Sequence, residues 1–447
     1  MSVTVPASYA LANLPRYTSY PTAPHFAALD EDSYRDWLGG IGAETALSLY
    51  LHIPFCSALC WYCGCHSTIT RNEDRIARYA GALHAEAALL EQALPAHGGI
   101  AALHLGGGTP TAIGAAALRA LLATLRARFG VRPGAEIAAE CDPRTLTEET
   151  IGALAAGGVN RVSLGVQDIS PAVQRRIGRV QPDDTVATAV ERLRAAGILR
   201  VNLDLMYGLP GQTEAEVAAT ARFAAALGAD RVAVFGYAHV PWMKPHQNAI
   251  RDEELPGALE RLRQAETAER VLREAGYEAI GLDHFARPDD SMAVAQRAGR
   301  LRRNFQGYTT DTAPALLGLG ASAIGSIGTP ALAGYAQNEP DERRYVAAVG
   351  AGHLPVKRGQ RLSEEDRLRR HVIERVMCDF VLDLAELPEA LLAEARPGLE
   401  RLEADGIVAL APDMLWVTAA GRRHVRHVAA CFDAYLGAGA GRHSAAV

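Results

Sequence analysis

Residues 50–66 read YLHIPFCSALCWYCGCH, and the four cysteines in this stretch, Cys56, Cys60, Cys63 and Cys65, set the terms for the rest of the chain. The preceding run, 47–53, is apolar and partly alternating, which suits a buried strand. Pro54 then stops the ladder and puts the cysteines in a loop past the strand's C-terminal end. Thiolates are soft ligands that select zinc, copper(I) or iron–sulfur clusters. Structural zinc is usually closed by four ligands in short-spaced pairs. No second Cys pair or His pair follows at that distance, and His66 is the sole nearby addition. Iron–sulfur clusters take thiolates in tight local spacing. A Cys-x3-Cys-x2-Cys triple fills three corners of a 4Fe–4S cube and leaves one iron open to bind and react. The competing reading is a zinc knuckle closed by Cys65, but a Cys-x-Cys step crowds ligands that a tetrahedral site spreads apart.

The 447 residues imply one large domain with one or two smaller pieces, and 49% hydrophobic content allows a substantial core. A net charge of −6 argues against a nucleic-acid surface, which needs clustered positive charge. Lys244 and Lys357 are the only lysines, so Arg must meet any anionic substrate, which suits bidentate carboxylate binding. Seven cysteines, four of them together, do not read as a disulfide framework. Cys141, Cys378 and Cys431 read as ordinary buried thiols. No basic segment followed by an apolar run opens the chain, and no window approaches membrane-spanning length. A cytoplasmic protein without membrane contact is expected.

Residues 1–45, with PRYTSYPTAPHF at 15–26, read as an arm whose aromatics and Arg16 lie against something flat. From 47 onward apolar strand candidates (47–53, 100–105, 135–141, 160–166, 199–206, 231–236) alternate with amphipathic helices (73–94, 114–129, 147–156, 183–196, 213–227). That rhythm predicts an α/β fold with a parallel sheet and right-handed crossovers. Six units are too few to close an eight-stranded barrel, so the expectation is a partial, three-quarter βα barrel with its chemistry at the C-terminal strand ends. Residues 46–360 hold this barrel and a less regular extension, with a helix at about 253–275. Residues 361–447 read as a mainly helical, winged-helix-like domain, with helices near 364–382, 387–404 and 419–436 and a hairpin around 406–417.

Polar residues cluster just past each strand end: 106–111 (GGGTPT), Glu140 with Asp142, Gln167 with Asp168, Asp204, and Tyr237 with His239. GGGTP lacks the Lys-Ser/Thr of a phosphate loop, and GLGASAIGSIG at 318–328 does not open a helix after a first strand. The glycines instead let backbone pass close to a ligand or close the barrel edge. Glu140 and Asp204 suit a ligand's hydroxyl groups or a positive charge. The bland alternative for each acid is a helix cap or a satisfied core carboxylate.

The cysteine triple is the signature of the radical S-adenosylmethionine (SAM) superfamily. HIPFC, GCH, GGGTPT, ECDPR, GVQD, YGLP, FGYAH, DHFARPDD, RNFQGYTT and YAQN, with PRYTSYPTA before them and CFDAYL after, resemble the oxygen-independent coproporphyrinogen III oxidases over nearly the whole chain. The resemblance implies that Cys56, Cys60 and Cys63 ligate a 4Fe–4S cluster. Tyr50, Tyr62, Gly107, Glu140 and Ile324 would contact the SAM on its open iron, with Tyr50 and Glu140 counted with the catalytic set. Gly108, Thr109, Gln167, Arg179, Asp204 and Ala238 would line a second SAM site. Tyr62 replaces a usual Phe, Cys141 an aliphatic residue and Gly178 a polar one. Cys65 matches a family cysteine that is not a cluster ligand.

The implied reaction converts two propionates of coproporphyrinogen III to vinyl groups through a 5′-deoxyadenosyl radical, giving protoporphyrinogen IX for haem. It implies an electron donor of flavodoxin or ferredoxin type and an electron acceptor, and a monomer is expected. Arg16, Tyr17, Tyr20, Arg287, Arg303 and Gln306 are candidates for holding the flat tetracarboxylate. The rival is a haem-binding or haem-trafficking relative without oxidase activity. Such relatives carry an HNxxYW element, whereas this chain has no His-Asn pair and reads RNFQGYTT in that region.

Overall fold

A computed structural model describes residues 5–6, 8–329 and 332–437, so residues 1–4 and 7 of the expected arm and 438–447 of the expected C-terminal domain lie outside the described residues. Six strands, β1 (Leu47–Ile53), β2 (Ile100–Gly107), β3 (Val131–Cys141), β4 (Arg161–Gln167), β5 (Arg200–Tyr207) and β6 (Arg231–Gly236), stand side by side in chain order. All six run parallel. Parallel neighbours need long crossovers, and the helices Glu73–Ala93, Ala115–Phe129, Glu148–Ala156, Asp183–Ala195 and Glu214–Ala226 supply them. Polar side chains fix several helix starts. Asn72 accepts from the Arg75 N–H, while Thr147 and Thr213 close capping boxes with Thr150 and Glu216.

The sheet is larger than six strands. Ala315–Leu319 adds a parallel strand beside β1, and Ile324–Gly328, Ala333–Asn338 and Val356–Arg361 continue it antiparallel. Beyond β6 come His284–Ala286 and Glu278–Ile280, also antiparallel, for thirteen strands in all among the described residues. The edge strands do not pair with each other, so the barrel is open. The glycine-rich run 318–328 forms the turn from Ala315–Leu319 into Ile324–Gly328, inside the sheet rather than at a barrel edge. Ala27–Ala28 pairs with Arg358 and Gly359. The N-terminal segment is therefore stitched to the sheet from that point on.

Burial alternates along β4 and β5. Val162, Leu164, Val166, Val201, Leu203 and Leu205 are in the main core. The intervening Ser163, Gly165, Gln167, Asp204 and Met206 are only half-buried, because they face an interior that protein atoms do not fill.

The C-terminal part packs Glu364–Asp379, Glu389–Ala404 and a small antiparallel sheet (Val381–Asp383, Val408–Leu410, Met414–Val417) around its own core. The helix expected over 419–436 is instead a 3-10 turn, Arg422–His424, followed by Val425–Ala430. The Asp433 carboxylate accepts from the Tyr435 N–H at 2.9 Å, a local turn that competes with helix continuation.

Candidate functional site

The C-terminal ends of the six strands surround a cavity of about 970 Å³. Cys56, Cys60 and Cys63 line it, together with Tyr62, Gly107, Gly108, Thr109, Glu140, Gln167, Arg179, Asp204 and Ala238 from the residues singled out by sequence. Arg16 reaches it from the N-terminal arm.

The cysteine loop is held from several sides. Trp61 N–H donates to the Ile177 carbonyl at 2.9 Å, and Gln247 Nε2 donates to the Tyr62 carbonyl at 2.9 Å. His246 Nε2 bonds the Cys63 carbonyl and Lys244 Nζ the Cys65 carbonyl, each at 2.8 Å. His66, the extra metal candidate, is used structurally: its carbonyl meets His52 Nε2 at 2.8 Å and its ring meets the Pro340 carbonyl at 2.9 Å.

GGGTP runs directly beneath this loop. Gly108 N–H donates to the Ile53 carbonyl at 2.9 Å and Thr109 N–H to the Phe55 carbonyl at 2.7 Å. A Cβ on Gly108 would stand 2.7 Å from both the Pro54 and Phe55 carbonyl oxygens. The close approach that selects glycine here is thus to the chain's own cysteine loop. Gly108→Ala is expected to cost about 1–3 kcal/mol through overpacking and to lower iron content after anaerobic reconstitution. Iron assay and thermal unfolding check this, and wild-type values in both would show the loop can yield. Gly178, at φ +64°, lies against the Trp61 ring, 2.9 Å from where its Cβ would be. That packing explains why a glycine stands beside Arg179.

The thiols sit among donors. Arg179 Nη1 and Arg144 Nη2 reach Cys60 Sγ at 3.5 and 3.6 Å, and Thr109 Oγ1 lies 3.5 Å from Cys56 Sγ. A hydrogen bond with Cys65 draws the Cys63 thiol down to about 6, whereas burial raises that of Cys56. Three cysteines on one cavity wall, with guanidinium groups facing the sulfur of Cys60, fit a thiolate-held cluster. Among the described residues no three His, Cys, Asp or Glu converge on one ion position. A cube asks for no such convergence, because its thiolates would go to separate irons.

In the same cavity lining, Glu140 is fixed by His104 Nε2 at 3.1 Å and by the Gly107 N–H at 3.2 Å. Asp204 accepts from Asn202 Nδ2 at 2.8 Å, and burial, reinforced by Glu140, pushes its carboxyl up to about 6. Gln167 ends β4 with φ +66° at a register shift, a strained conformation that re-aims the strand end.

Several expected residues lie elsewhere. Tyr50 and Ile324 do not line the cavity; the Tyr50 ring stacks on His104, which in turn holds Glu140, and its hydroxyl bonds His52 Nδ1 at 3.0 Å. Tyr17 and Tyr20 are buried in the C-terminal core, with the Tyr17 hydroxyl donating to Asp433 and the Tyr20 hydroxyl accepting from the Ala434 N–H, both at 3.0 Å. They anchor the arm and leave Arg16 to face the cavity. Arg287 bonds the Ala229 carbonyl and lies over the Tyr277 ring, at the N-terminal end of β6 and away from the site. Gln306 does not line the cavity, and Arg303 lines a smaller adjoining pocket. Asp168 follows the bland alternative: it accepts from the Ser170 N–H and Gln212 Nε2, both at 2.6 Å.

Sequence reading missed Ser163, Arg144, Phe235 and Trp242, all of which line the cavity. Ser163 could have been found from the two-residue alternation that places it with Gly165 and Gln167. Trp242 has no such signal.

The Radical SAM superfamily family matches residues 50–224 and the HemN C-terminal domain matches 362–424. The oxygen-independent coproporphyrinogen III oxidase of Bradyrhizobium diazoefficiens is 48% identical over 100% of both chains, and that of Paracoccus denitrificans is 43% identical over 98% of this chain and 97% of its own. The solved structure titled "Coproporphyrinogen III oxidase (HemN) from Escherichia coli is a Radical SAM enzyme" superposes with a TM-score of 0.88 at 40% identity, covering 94% of this chain and 97% of that one. With its cysteine triple and strand-end residues gathered at one barrel mouth, the chain belongs to the oxygen-independent coproporphyrinogen III oxidases.

Proposed function

We propose that the chain is an oxygen-independent coproporphyrinogen III oxidase, a radical SAM oxidoreductase that converts two propionates of coproporphyrinogen III to vinyl groups. The observation that carries this reading is the convergence of Cys56, Cys60 and Cys63 with Glu140, Gln167, Arg179 and Asp204 on one cavity of about 970 Å³. Cys56, Cys60 and Cys63 hold the 4Fe–4S cluster in this reading. When bound, the cluster and SAM supply the one-electron chemistry that removes hydrogen from a propionate β-carbon.

The chain's own residues orient and shield. Arg144 and Arg179 donate toward the Cys60 sulfur. Glu140, held by His104 and the Gly107 N–H, presents a fixed carboxylate to a SAM beside the cluster. Tyr50 stands behind it as a positioning residue, through its stack on His104. Gly108, Thr109, Gln167, Arg179, Asp204 and Ala238 line the rest of the cavity and form the second SAM site in this reading. Ile324, on the strand Ile324–Gly328, lies outside the cavity lining.

Residues 1–45, 46–360 and 361–447 act as arm, catalytic barrel and C-terminal lobe. A donor of flavodoxin or ferredoxin type and an electron acceptor complete the redox balance, and the chain works as a monomer. Among the described residues no helix is long and apolar enough to cross a membrane.

Anaerobic turnover with coproporphyrinogen III, SAM and a reductant tests the assignment. The expected result is a divinyl product with about two methionines released for each. SAM cleavage without any vinyl product would overturn it.

A further inference from the structure

Next to the main cavity lies a second, more enclosed pocket of about 60 Å³. The two share Arg16 and residues 235–238, the end of β6. Arg16, Arg261, Arg303, Arg423 and Arg426 line the small pocket, and Asp283 is the only carboxylate in its lining. Glu269, paired with Arg423, is a second negative charge nearby. Asp283 is anionic: although burial opposes ionisation, the His284 contact at 2.7 Å and the nearby Arg303 and Arg16 draw its carboxyl down to about 2. Five guanidinium groups against two carboxylates leave an excess of positive charge at this pocket, with Arg426 buried and Arg16 exposed.

The sequence draws these groups from distant places. Arg16 comes from the arm, Arg261 from the helix Ala258–Glu274, Arg303 from the strand Arg302–Asn304, and Arg423 and Arg426 from the C-terminal lobe. The pocket forms only when arm, barrel and lobe are docked.

Backbone carbonyls hold two of these arginines in place. Arg261 Nη2 donates to the Tyr237 carbonyl at 2.7 Å, and Arg303 donates to the Tyr17 and Arg16 carbonyls at 3.1 and 2.9 Å. The remaining Arg303 nitrogen, Nη1, is buried without a hydrogen-bond partner among the described residues. Burial, with the like charge of Arg16 adding to it, pushes Arg426 down to about 10 and also lowers Arg261. Clustering like charges in this way costs free energy that an anion would offset. About 60 Å³ exceeds several-fold the space one water requires, so a carboxylate group fits.

We propose that the pocket of Arg16, Arg261, Arg303 and Arg426 is a carboxylate subsite that grips a propionate which the reaction leaves in place. The macrocycle then lies in the larger cavity, with a reacting propionate presented to the strand ends. This inference rests on the oxidase reading above. It identifies Arg261 and Arg426, outside the recognised motifs, as residues that select a carboxylate-bearing macrocycle and set its orientation.

The test uses the reconstituted full-length holoenzyme and measures binding of coproporphyrin III, the stable oxidised tetracarboxylate, by fluorescence quenching, with its tetramethyl ester as control. Arg261→Gln and Arg426→Gln should each weaken coproporphyrin III binding about tenfold or more. Neither should alter ester binding, iron content or substrate-free reductive SAM cleavage. Arg261→Lys, which keeps charge but loses the fork, should fall between wild type and Arg261→Gln. Should a Gln variant not fold, the Lys variants at both positions decide, and wild-type affinity in both overturns the proposal. Folded Gln variants that bind within twofold of wild type also overturn it. Failure of wild-type turnover would instead remove the oxidase reading, so the two failures are distinct.

Discussion

Replacing Cys63 with Ser abolishes turnover, by more than roughly a thousandfold or about 4 kcal/mol on the barrier, and leaves the reconstituted protein short of its cluster iron. Serine has the shape of cysteine but offers a hard, protonated oxygen where the iron takes a soft thiolate. Cys65→Ser is the informative companion. Cys65 lines the same cavity and shares a hydrogen bond with Cys63, so proximity alone does not separate ligand from neighbour. If three thiolates hold the cube, Cys65→Ser keeps four irons per chain while Cys63→Ser does not. Iron and sulfide assays with electron paramagnetic resonance of the reduced proteins make the comparison. Equal metal loss in both variants would mean four protein thiolates and no vacant corner, and the proposed chemistry would fail with it.

The second large effect concerns stability. Glu86, on the helix Glu73–Ala93, is buried, accepting from the Gly320 N–H at 2.7 Å, the Tyr345 hydroxyl at 2.6 Å and Asn338 Nδ2 at 2.7 Å. It thereby ties the helix to the turn after Ala315–Leu319, to Ala333–Asn338 and to Glu342–Gly350. Burial raises its carboxyl from 4.5 to about 7, outweighing three hydrogen bonds that favour the anion. Below pH 4.5 the group is neutral folded or unfolded, and its contribution is complete. As pH rises through about 7 the unfolded chain has already released the proton and the folded chain resists, so stability is lost. The gap corresponds to about 3 kcal/mol.

Wild type should therefore weaken between about pH 5 and 8 relative to Glu86→Gln, which cannot ionise. Glu86→Ala should lose at least about 3 kcal/mol at any pH by stranding three buried donors and opening a cavity. Denaturant unfolding across that pH range reads both effects. Parallel pH profiles for wild type and Glu86→Gln would show that this carboxyl does not titrate in the window.

Much of the site was legible because parallel strands put all their C-terminal ends at one end of the sheet. The cysteine loop after β1, GGGTP after β2, Glu140 on β3, Gln167 on β4 and Asp204 on β5 needed only a correct strand reading to converge. The βα rhythm itself is local, written in periods of two and 3.6 residues, and the six strands fall where that rhythm puts them.

What the sequence by itself determined was thus the cysteine loop, the order of the six strands and the end of the barrel where chemistry occurs. The tertiary structure alone decided which distant residues join them. Tyr17 and Tyr20 carry the same aromatic signal as a substrate platform, yet they fill the C-terminal core. Arg287 belongs to the same motif as His284, yet it lies at the opposite end of β6, because the antiparallel strand His284–Ala286 carries the chain back along that strand. Arg261 and Arg426 stand on amphipathic segments where any Arg reads as solvated surface, and only docking of the lobe brings them to the pocket wall. The physical reason is the range of the interaction. Periodicity fixes which face a residue occupies, while long-range packing fixes what that face meets.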